Sequence, residues 1–326
     1  WFPDDAPGGA VLIVQNNEAI YEKGFGIEDI QTKKKITTHS LFNIGSISKT
    51  FVAYGILQLA KQGKLSLNDP LNKYFSEFKK PALAKQVKIY HLLTHTSGLP
   101  DNRPVLRDSI FYLTAKDAEN WAPIMQNRSL HFKPGEKWEY SNPAFNALAL
   151  IIEKVSGEQW QSYIKRNIFD KAGMSSSDIT DGAHPETGVT HGYLFEDEKY
   201  MERDYGEEPT FCAAGNGGVW SSVTELWKYE QAIQQHLFLD SEWINKSRTV
   251  YQMTNWKDSV PFFMGLSWFI YGKDENQFIG HTGSQGGFIS DYVCLPGKKI
   301  FYVLLCNTPK PIREIRTAVL NAVEKN

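Results

Sequence analysis

Strand-forming sequence stands at both ends of this 326-residue chain and helix-forming sequence in its middle, and that order constrains the fold more than any single motif. Residues 10–15 and 20–26 flank Asn16-Asn17, a hairpin signal, because asparagine tolerates the left-handed backbone of a two-residue turn. Segments 265–271, 277–282, 287–294 and 299–306 are rich in Phe, Ile, Val, Tyr and Trp and are jointed by Gly, Pro or charge, as in a strand meander. Between them the period is helical. From Ser46 a broad apolar face (Phe51, Tyr54, Leu57, Leu59) runs to a stop at Lys61 and Gly63. Asp69-Pro70 reads as an N-cap followed by Pro at the first helical position. Helical patterns recur at 87–94, 143–155 and 160–169, Ser222 with Glu225 forms a capping box, and 311–324 reads as a closing helix. The predicted architecture is α+β: one antiparallel sheet, completed by the N-terminal hairpin and flanked by helices, with an inserted helical lobe. The expected division sets 1–70 with 210–326 against a mainly helical 71–209, with a cleft between them and Ser46 at the junction.

Composition narrows the function classes. Hydrophobic residues make up 41% and charged residues 22%, as in ordinary globular proteins. A net charge of -2 gives no electrostatic case for nucleic acid. The longest apolar runs, such as 301–306, are strand-sized, so no membrane span is expected. The chain starts at Trp1 rather than Met, so removal of a signal peptide or anchor is a question its sequence leaves open. Cys212, Cys294 and Cys306 form no C-x-x-C pair, and small buried hydrophobes are the expected reading. A Cys294–Cys306 link stays open, since both fall in neighbouring predicted strands.

Three short strings carry the chemistry: Ser46-Ile47-Ser48-Lys49, Tyr140-Ser141-Asn142 and His281-Thr282-Gly283. Two other S-x-x-K strings exist, Ser76 to Lys79 and Ser162 to Lys165, but only Ser46 follows a Gly, opens a long helical pattern and precedes both partner strings. A hydroxyl needs a base to become a nucleophile. Residues three apart on a helix are neighbours, so Lys49 can reach Ser46 and take its proton once burial or nearby charge lowers its pKa. Tyr140 can relay a proton, and Asn142 offers amide donors. Gly283 permits close backbone approach, and the backbone N–H groups of Ser46 and Ser284 would form an oxyanion hole.

The ordered triple resembles the active-site set of the penicillin-recognising serine hydrolases, specifically their class C β-lactamase, D,D-peptidase and esterase branch. Residues 41–45 (LFNIG), 89–100 (IYHLLTHTSGLP), 132–135 (FKPG) and 215–218 (GNGG) with Ser221-Ser222 fit that branch, so the resemblance covers nearly the whole chain. It implies a β-lactamase/transpeptidase-like fold and a serine hydrolase working through an acyl-enzyme on an ester, a D-amino-acid peptide or amide, or slowly a β-lactam. Ser46, Lys49 and Tyr140 would be catalytic. Asn142, His281, Thr282, Gly283 and Ser284 would bind a small-molecule or peptide substrate. It further implies a periplasmic or extracellular location. Oligomeric state is not legible.

His281 departs from the Lys that β-lactamases of this branch carry. Imidazole is largely neutral at pH 7, which weakens attraction for a carboxylate; acid is expected to restore part of it. No deacylating carboxylate is evident. Two rival readings remain. One is a penicillin-binding sensor or peptidoglycan-fragment-binding protein that acylates without efficient turnover. The other is a metal site at His91 and His95, spaced as in H-E-x-x-H but with Leu92 in the place of Glu; neither metal nor cofactor is expected.

Overall fold

The computed structural model describes residues 1–104, 111, 114–179, 189–202, 214–251 and 263–325. Cys212 and the expected 209/210 boundary lie outside them. In chain order the strands are β1 (Gly9–Gln15), β2 (Glu18–Phe25), β3 (Phe42–Asn43), β4 (Asp178–Ile179), β5 (Tyr193–Glu196), β6 (Lys199–Glu202), β7 (Val219–Ser221), β8 (Phe269–Tyr271), β9 (Phe278–Gln285), β10 (Phe288–Leu295) and β11 (Ile300–Cys306).

The main sheet is antiparallel throughout, in the order β2-β1-β11-β10-β9-β8. The N-terminal hairpin therefore completes the C-terminal meander: Gly9 pairs with Cys306 and Gln15 with Ile300. Asn16 and Asn17 take φ of 52° and 67°, the left-handed pair that a tight hairpin turn requires. β11 is buried at every position because both faces of the sheet are covered. Ala10, Leu12, Val14, Val303 and Leu305 face the main core with the Ser48–Lys61 helix. Val11, Ile13, Tyr302 and Leu304 face the closing helix Ile312–Val323 through Ile312 and Ile315. Burial of each such Leu, Ile or Val contributes about 1.5–3 kcal/mol.

Several local expectations shift. The 265–271 segment is a strand only at Phe269–Tyr271. The Asp69-Pro70 signal opens a single 3-10 turn, Leu71–Lys73, because the Asp69 carboxylate turns to Ser66 N, Lys73 Nζ and Tyr74 Oη. The 87–94 pattern is helical only over Ile89–Leu93. In the Ser222 capping box, Ser222 Oγ accepts from Glu225 N, but the Glu225 carboxylate accepts instead from the backbone N–H groups of Ser176 and Ser177. The middle segment also carries β4, β5 and β6, two of them a small separate hairpin. Cys294 and Cys306 are both free and buried. Their strands are neighbours, but Cys294 pairs with Phe301, five rungs from Cys306. At ~3.4 Å per residue that is far beyond the ~7 Å limit for a disulfide.

Candidate active site

The nucleophile turn is fastened on both sides. Phe42 and Asn43 pair with Ser221 and Trp220 of β7, and Ile44 N donates to Val219 O at 3.0 Å. Asn43 Oδ1 accepts from Gly45 N at 2.9 Å, holding Gly45 at φ 52°. A 3-10 turn, Gly45–Ile47, then leads into the Ser48–Lys61 helix, so Ser46 lies one turn ahead of the α-helix proper. A Cβ at Gly45 would stand 2.7 Å from Ser284 N, and one at Gly283 would stand 2.0 Å from Ile44 O. These two glycines let β9 lie directly against the nucleophile turn. Ser290 Oγ ties the same Ile44 carbonyl from β10 at 2.9 Å.

Lys49 Nζ is 3.0 Å from Ser46 Oγ and 2.6 Å from the carbonyl oxygen of Asn216. Its side chain is wholly buried. Burial first, and then the Arg103 guanidinium, pull its pKa well below the usual lysine value, which favours the neutral amine that could accept a proton. No acidic residue lies in the first turn of its helix.

Tyr140 is placed by the segments around it. Ser141 caps the Asn142–Ser156 helix, its Oγ accepting from Ala144 N at 3.3 Å, and Gly157 closes that helix at φ 81°. Such a cap contributes about 1 kcal/mol. Ser141 N donates to His95 Nδ1 at 3.0 Å, and the His95 ring stacks on Tyr140 with centroids 4.4 Å apart. His95 lies beyond the end of the Ile89–Leu93 helix at φ 57°, so His91 and His95 do not share a helical face. His91 Nδ1 instead accepts from Lys88 N. Residues 96–98 run beside 131–135 through Gly135 N to Thr96 O and His131 N to Gly98 O.

Along β9 the strand period divides the third string. Thr282 and Ser284 are exposed, while His281 and Gly283 are buried. His281 Nδ1 is 2.6 Å from Thr282 O, an oxygen that can only accept, so that nitrogen carries the proton. Burial, and next the neighbouring Lys49, hold the His281 pKa down to about 3. The imidazole is therefore neutral with Nε2 bare across the ordinary pH range, and mild acid does not charge it. That overturns the expectation that acidification would restore a positive group here.

A cleft of about 420 Å³ is lined by Ser46, Tyr140, Asn142, His281, Thr282, Gly283 and Ser284, with Lys49 behind Ser46. All eight residues singled out from sequence thus meet at one place. Ser76 and Ser162 are exposed elsewhere, and Lys165 pairs with Asp178. Three participants were missed: the Asn216 carbonyl, the ring of His95, and the buried Asp117. Asp117 Oδ1 accepts from Gly215 N and Asn146 Nδ2, and that amide also reaches Asn216 Oδ1. Burial raises the Asp117 pKa to about 7. The 215–218 stretch had flagged Asn216 by resemblance alone; a first-turn Asp carries no sequence signal of this kind. A larger cavity of about 620 Å³, toward the Val14 and Leu295 ends of the sheet, contains none of the motif residues. Among the described residues, no three His, Cys, Asp or Glu side chains cluster as metal ligands.

This nucleophile turn, its lysine and the antiparallel sheet define the β-lactamase/transpeptidase-like fold, and the Beta-lactamase family profile matches residues 2–324. The chain belongs to that family of serine hydrolases. It is similar to penicillin-binding protein 4* of Bacillus subtilis, 27% identical over 97% of this chain and 71% of that one. Among solved structures it is similar to the octameric penicillin-binding protein homologue of Pyrococcus abyssi, at 28% identity and TM-score 0.85, covering 98% of this chain and 74% of that one. It shares its fold with the D-amino acid amidase of Ochrobactrum anthropi, at 20% identity and TM-score 0.82, covering 98% and 94% of the two chains.

Proposed function

We propose that this protein is a serine hydrolase that forms an acyl-enzyme at Ser46, acting on an ester or a D-amino-acid peptide or amide, with only slow turnover of β-lactams. The observation that carries the reading is Lys49 Nζ, buried and 3.0 Å from Ser46 Oγ. In this mechanism the neutral Lys49 takes the Ser46 proton as the oxygen attacks the substrate carbonyl. The backbone N–H groups of Ser46 and Ser284 stabilise the oxyanion, a contribution of about 10²–10³-fold per donor in acyl transfer. Tyr140 returns the proton to the leaving group, and Asn142, Thr282 and Ser284 hold the substrate. The preference for substrates without a carboxylate rests on the neutral His281. A penicillin-binding relative and a D-amino acid amidase of the same fold support the substrate classes named. The cleft is the space between the two lobes, 1–70 with 210–326 and 71–209, and the site of action is outside the cytoplasm. Among the described residues no helix is long and apolar enough to cross a membrane.

The test is covalent labelling with a fluorophosphonate or a penicillin, followed by peptide mass mapping. The adduct is expected on Ser46; a label on Ser76, Ser162 or Ser284 with Ser46 unmodified overturns the reading. A second reading, a sensor that acylates without efficient turnover, is favoured by one observation: among the described residues no carboxylate lines the cleft beside Ser46. A stoichiometric burst with no steady state would select it.

A further inference from the structure

Ser46 sits between two flanks of opposite character. On one side is a recess whose lining is dominated by the amides of Asn120, Asn142, Asn216 and Gln285. On the other, the cleft carries three apolar residues that proton transfer leaves unused: Phe269, Ile289 and Ile312. They come from three elements. Phe269 lies on the edge strand β8, Ile289 on β10, and Ile312 opens the closing helix. Ile289 stands opposite Ser284 and Phe269 opposite Gly280, so both share a face of the sheet with Thr282 and Ser284. That is the face on which the closing helix packs, and Ile289 touches its cluster there. Phe269 and Ile289 are only half-buried, so each has apolar surface left for a guest.

Charge is missing from this second flank. Among the described residues that line the cleft none is Lys, Arg, Asp or Glu, and His281 is neutral. Asp291, opposite Thr282, is buried and accepts from Arg316 Nη1 at 2.9 Å, which closes that pair on itself. Arg313 follows Ile312 but is exposed and outside the lining. A carboxylate placed here would lose water and meet no cation in the wall, whereas an alkyl or aryl group would bury against three hydrophobes. Tyr140 fixes which half of a substrate lies on this side. It lines the cleft and not the recess, and it is the residue assigned the proton for the leaving group. The leaving group therefore departs along the apolar flank, and the acyl part lies toward the amides.

We propose that Phe269, Ile289 and Ile312 select an uncharged, apolar leaving group, an alkyl or aryl alcohol or amine, and that the acyl part is a hydrogen-bonding unit of the D-aminoacyl kind held by Asn142 and Gln285. The proposal rests on the acyl-enzyme reading above and narrows it. Ser46 Oγ bonds to the acyl carbon as its proton passes to Lys49. The bond from that carbon to the leaving oxygen or nitrogen then breaks, the Tyr140 proton goes to the leaving atom, and Lys49 restores the proton to Tyr140. The alcohol or amine departs neutral. Esters and amides of D-amino acids with apolar alcohols or amines are thus favoured over removal of a C-terminal residue, whose leaving group carries a carboxylate.

The test compares kcat/KM for the ethyl, n-hexyl and 5-carboxypentyl esters of N-acetyl-D-alanine, which share one acyl group and have leaving alcohols of similar acidity. The added methylenes of the hexyl ester are expected to raise kcat/KM at least ~10-fold over the ethyl ester, and the terminal carboxylate to cancel that gain. Ethyl N-hexanoyl-D-alaninate carries the same extra methylenes on the acyl side and is expected to gain less than ~2-fold. Phe269→Ala and Ile289→Ser should each cut the hexyl-to-ethyl ratio ~3-fold or more. Because the ratio is taken within one protein, loss of folded material does not affect it. Ile289→Arg should raise the carboxypentyl ester ~10-fold relative to the hexyl ester. If hexyl and ethyl esters react alike, if the hexanoyl compound gains as much, or if the variants keep the ratio, the leaving-group assignment is wrong, while labelling of Ser46 by a fluorophosphonate keeps the acyl-enzyme reading. If Ser46 is not labelled, that reading fails and takes this one with it.

Discussion

The two walls of the cleft each place a nitrogen base out of reach of solvent, and burial acts on both in the same direction. On the helical wall it lowers the pKa of Lys49, turning a permanent cation into an amine able to accept a proton. On the strand wall it lowers the pKa of His281, turning a group that would have been a pH-dependent cation into a fixed neutral one. The same desolvation creates reactivity in one residue and removes a charge from the other. Their proximity reinforces this, since Lys49 contributes to the His281 shift. The site is thereby set up for proton transfer beside Ser46, with little electrostatic pull on an anionic substrate.

The helical wall should break most completely. Lys49→Ala, and separately Tyr140→Phe, are expected to lower turnover by about 10²-fold or more, the usual scale of general acid–base contributions, with circular dichroism unchanged. Near-normal rates in both would remove them from the mechanism. In the unmodified protein, activity should fall on the acid side as a single protonation, that of Lys49. Its folded pKa is depressed and the neutral amine is the active form, while His281 stays neutral down to about pH 3. A second titration between pH 5 and 8 that disappears in His281→Gln would contradict this.

The strand wall should respond more modestly. His281→Lys is expected to raise reaction with carboxylate-bearing substrates about tenfold, or ~1.4 kcal/mol of transition-state stabilisation, and to leave neutral esters nearly unchanged. The added ammonium also stands near Lys49, so the acid limb of the rate profile should move to lower pH. Equal changes for charged and neutral substrates, or rapid cephalosporin hydrolysis by the unmodified protein, would count against the neutral-wall account.

The network behind the helical wall gives the smallest expected effect, and it is on stability. Asp117 has its pKa raised from 3.8 to about 7, so the folded state holds a proton there that the unfolded chain has released. Its contribution is therefore complete below about pH 4 and is lost as pH rises toward and past 7. Asp117→Asn keeps an oxygen for Gly215 N and Asn146 Nδ2 but does not ionise. Its melting temperature should gain on the unmodified protein between pH 5.5 and 8.5. A gap that stays constant over that range would show that Asp117 does not titrate there.

Much of this architecture could be read in advance, for reasons that differ by region. The hairpin at Asn16-Asn17 and strands β9 to β11 were legible because turn residues and β-branched runs carry local information. The eight site residues were legible because their strings are ordered and short. The strands β4 to β6 were not, since two- to four-residue strands hold too little periodicity to register. Nor was the alternation along β9, which turns His281 inward and Thr282 outward; that depends on which face of the strand the nucleophile turn occupies. The Asn216 contact is made by a backbone carbonyl, and no side-chain pattern can announce it. His95 drew attention through its spacing from His91, whereas its position is decided by a left-handed residue that ends the helix first.

The pairing of β1 with β11 joins residues nearly a full chain length apart, and this carries a consequence for how the protein comes into being. During synthesis the β1–β2 hairpin emerges long before β11, the strand it pairs with across the sheet. Until then β1 presents an open edge of unpaired backbone groups, a template for pairing with other chains. The Ser46 turn waits too, because its Ile44 carbonyl is tied by Ser290 and its Gly45 rests against Ser284, both late in the sequence. Contacts of such long range make for slow folding. A nascent chain that has not yet released β9 and β10 would therefore carry Ser46 and Lys49 without the wall that completes their site, and the sheet bearing that wall closes onto β1 only once β11 follows.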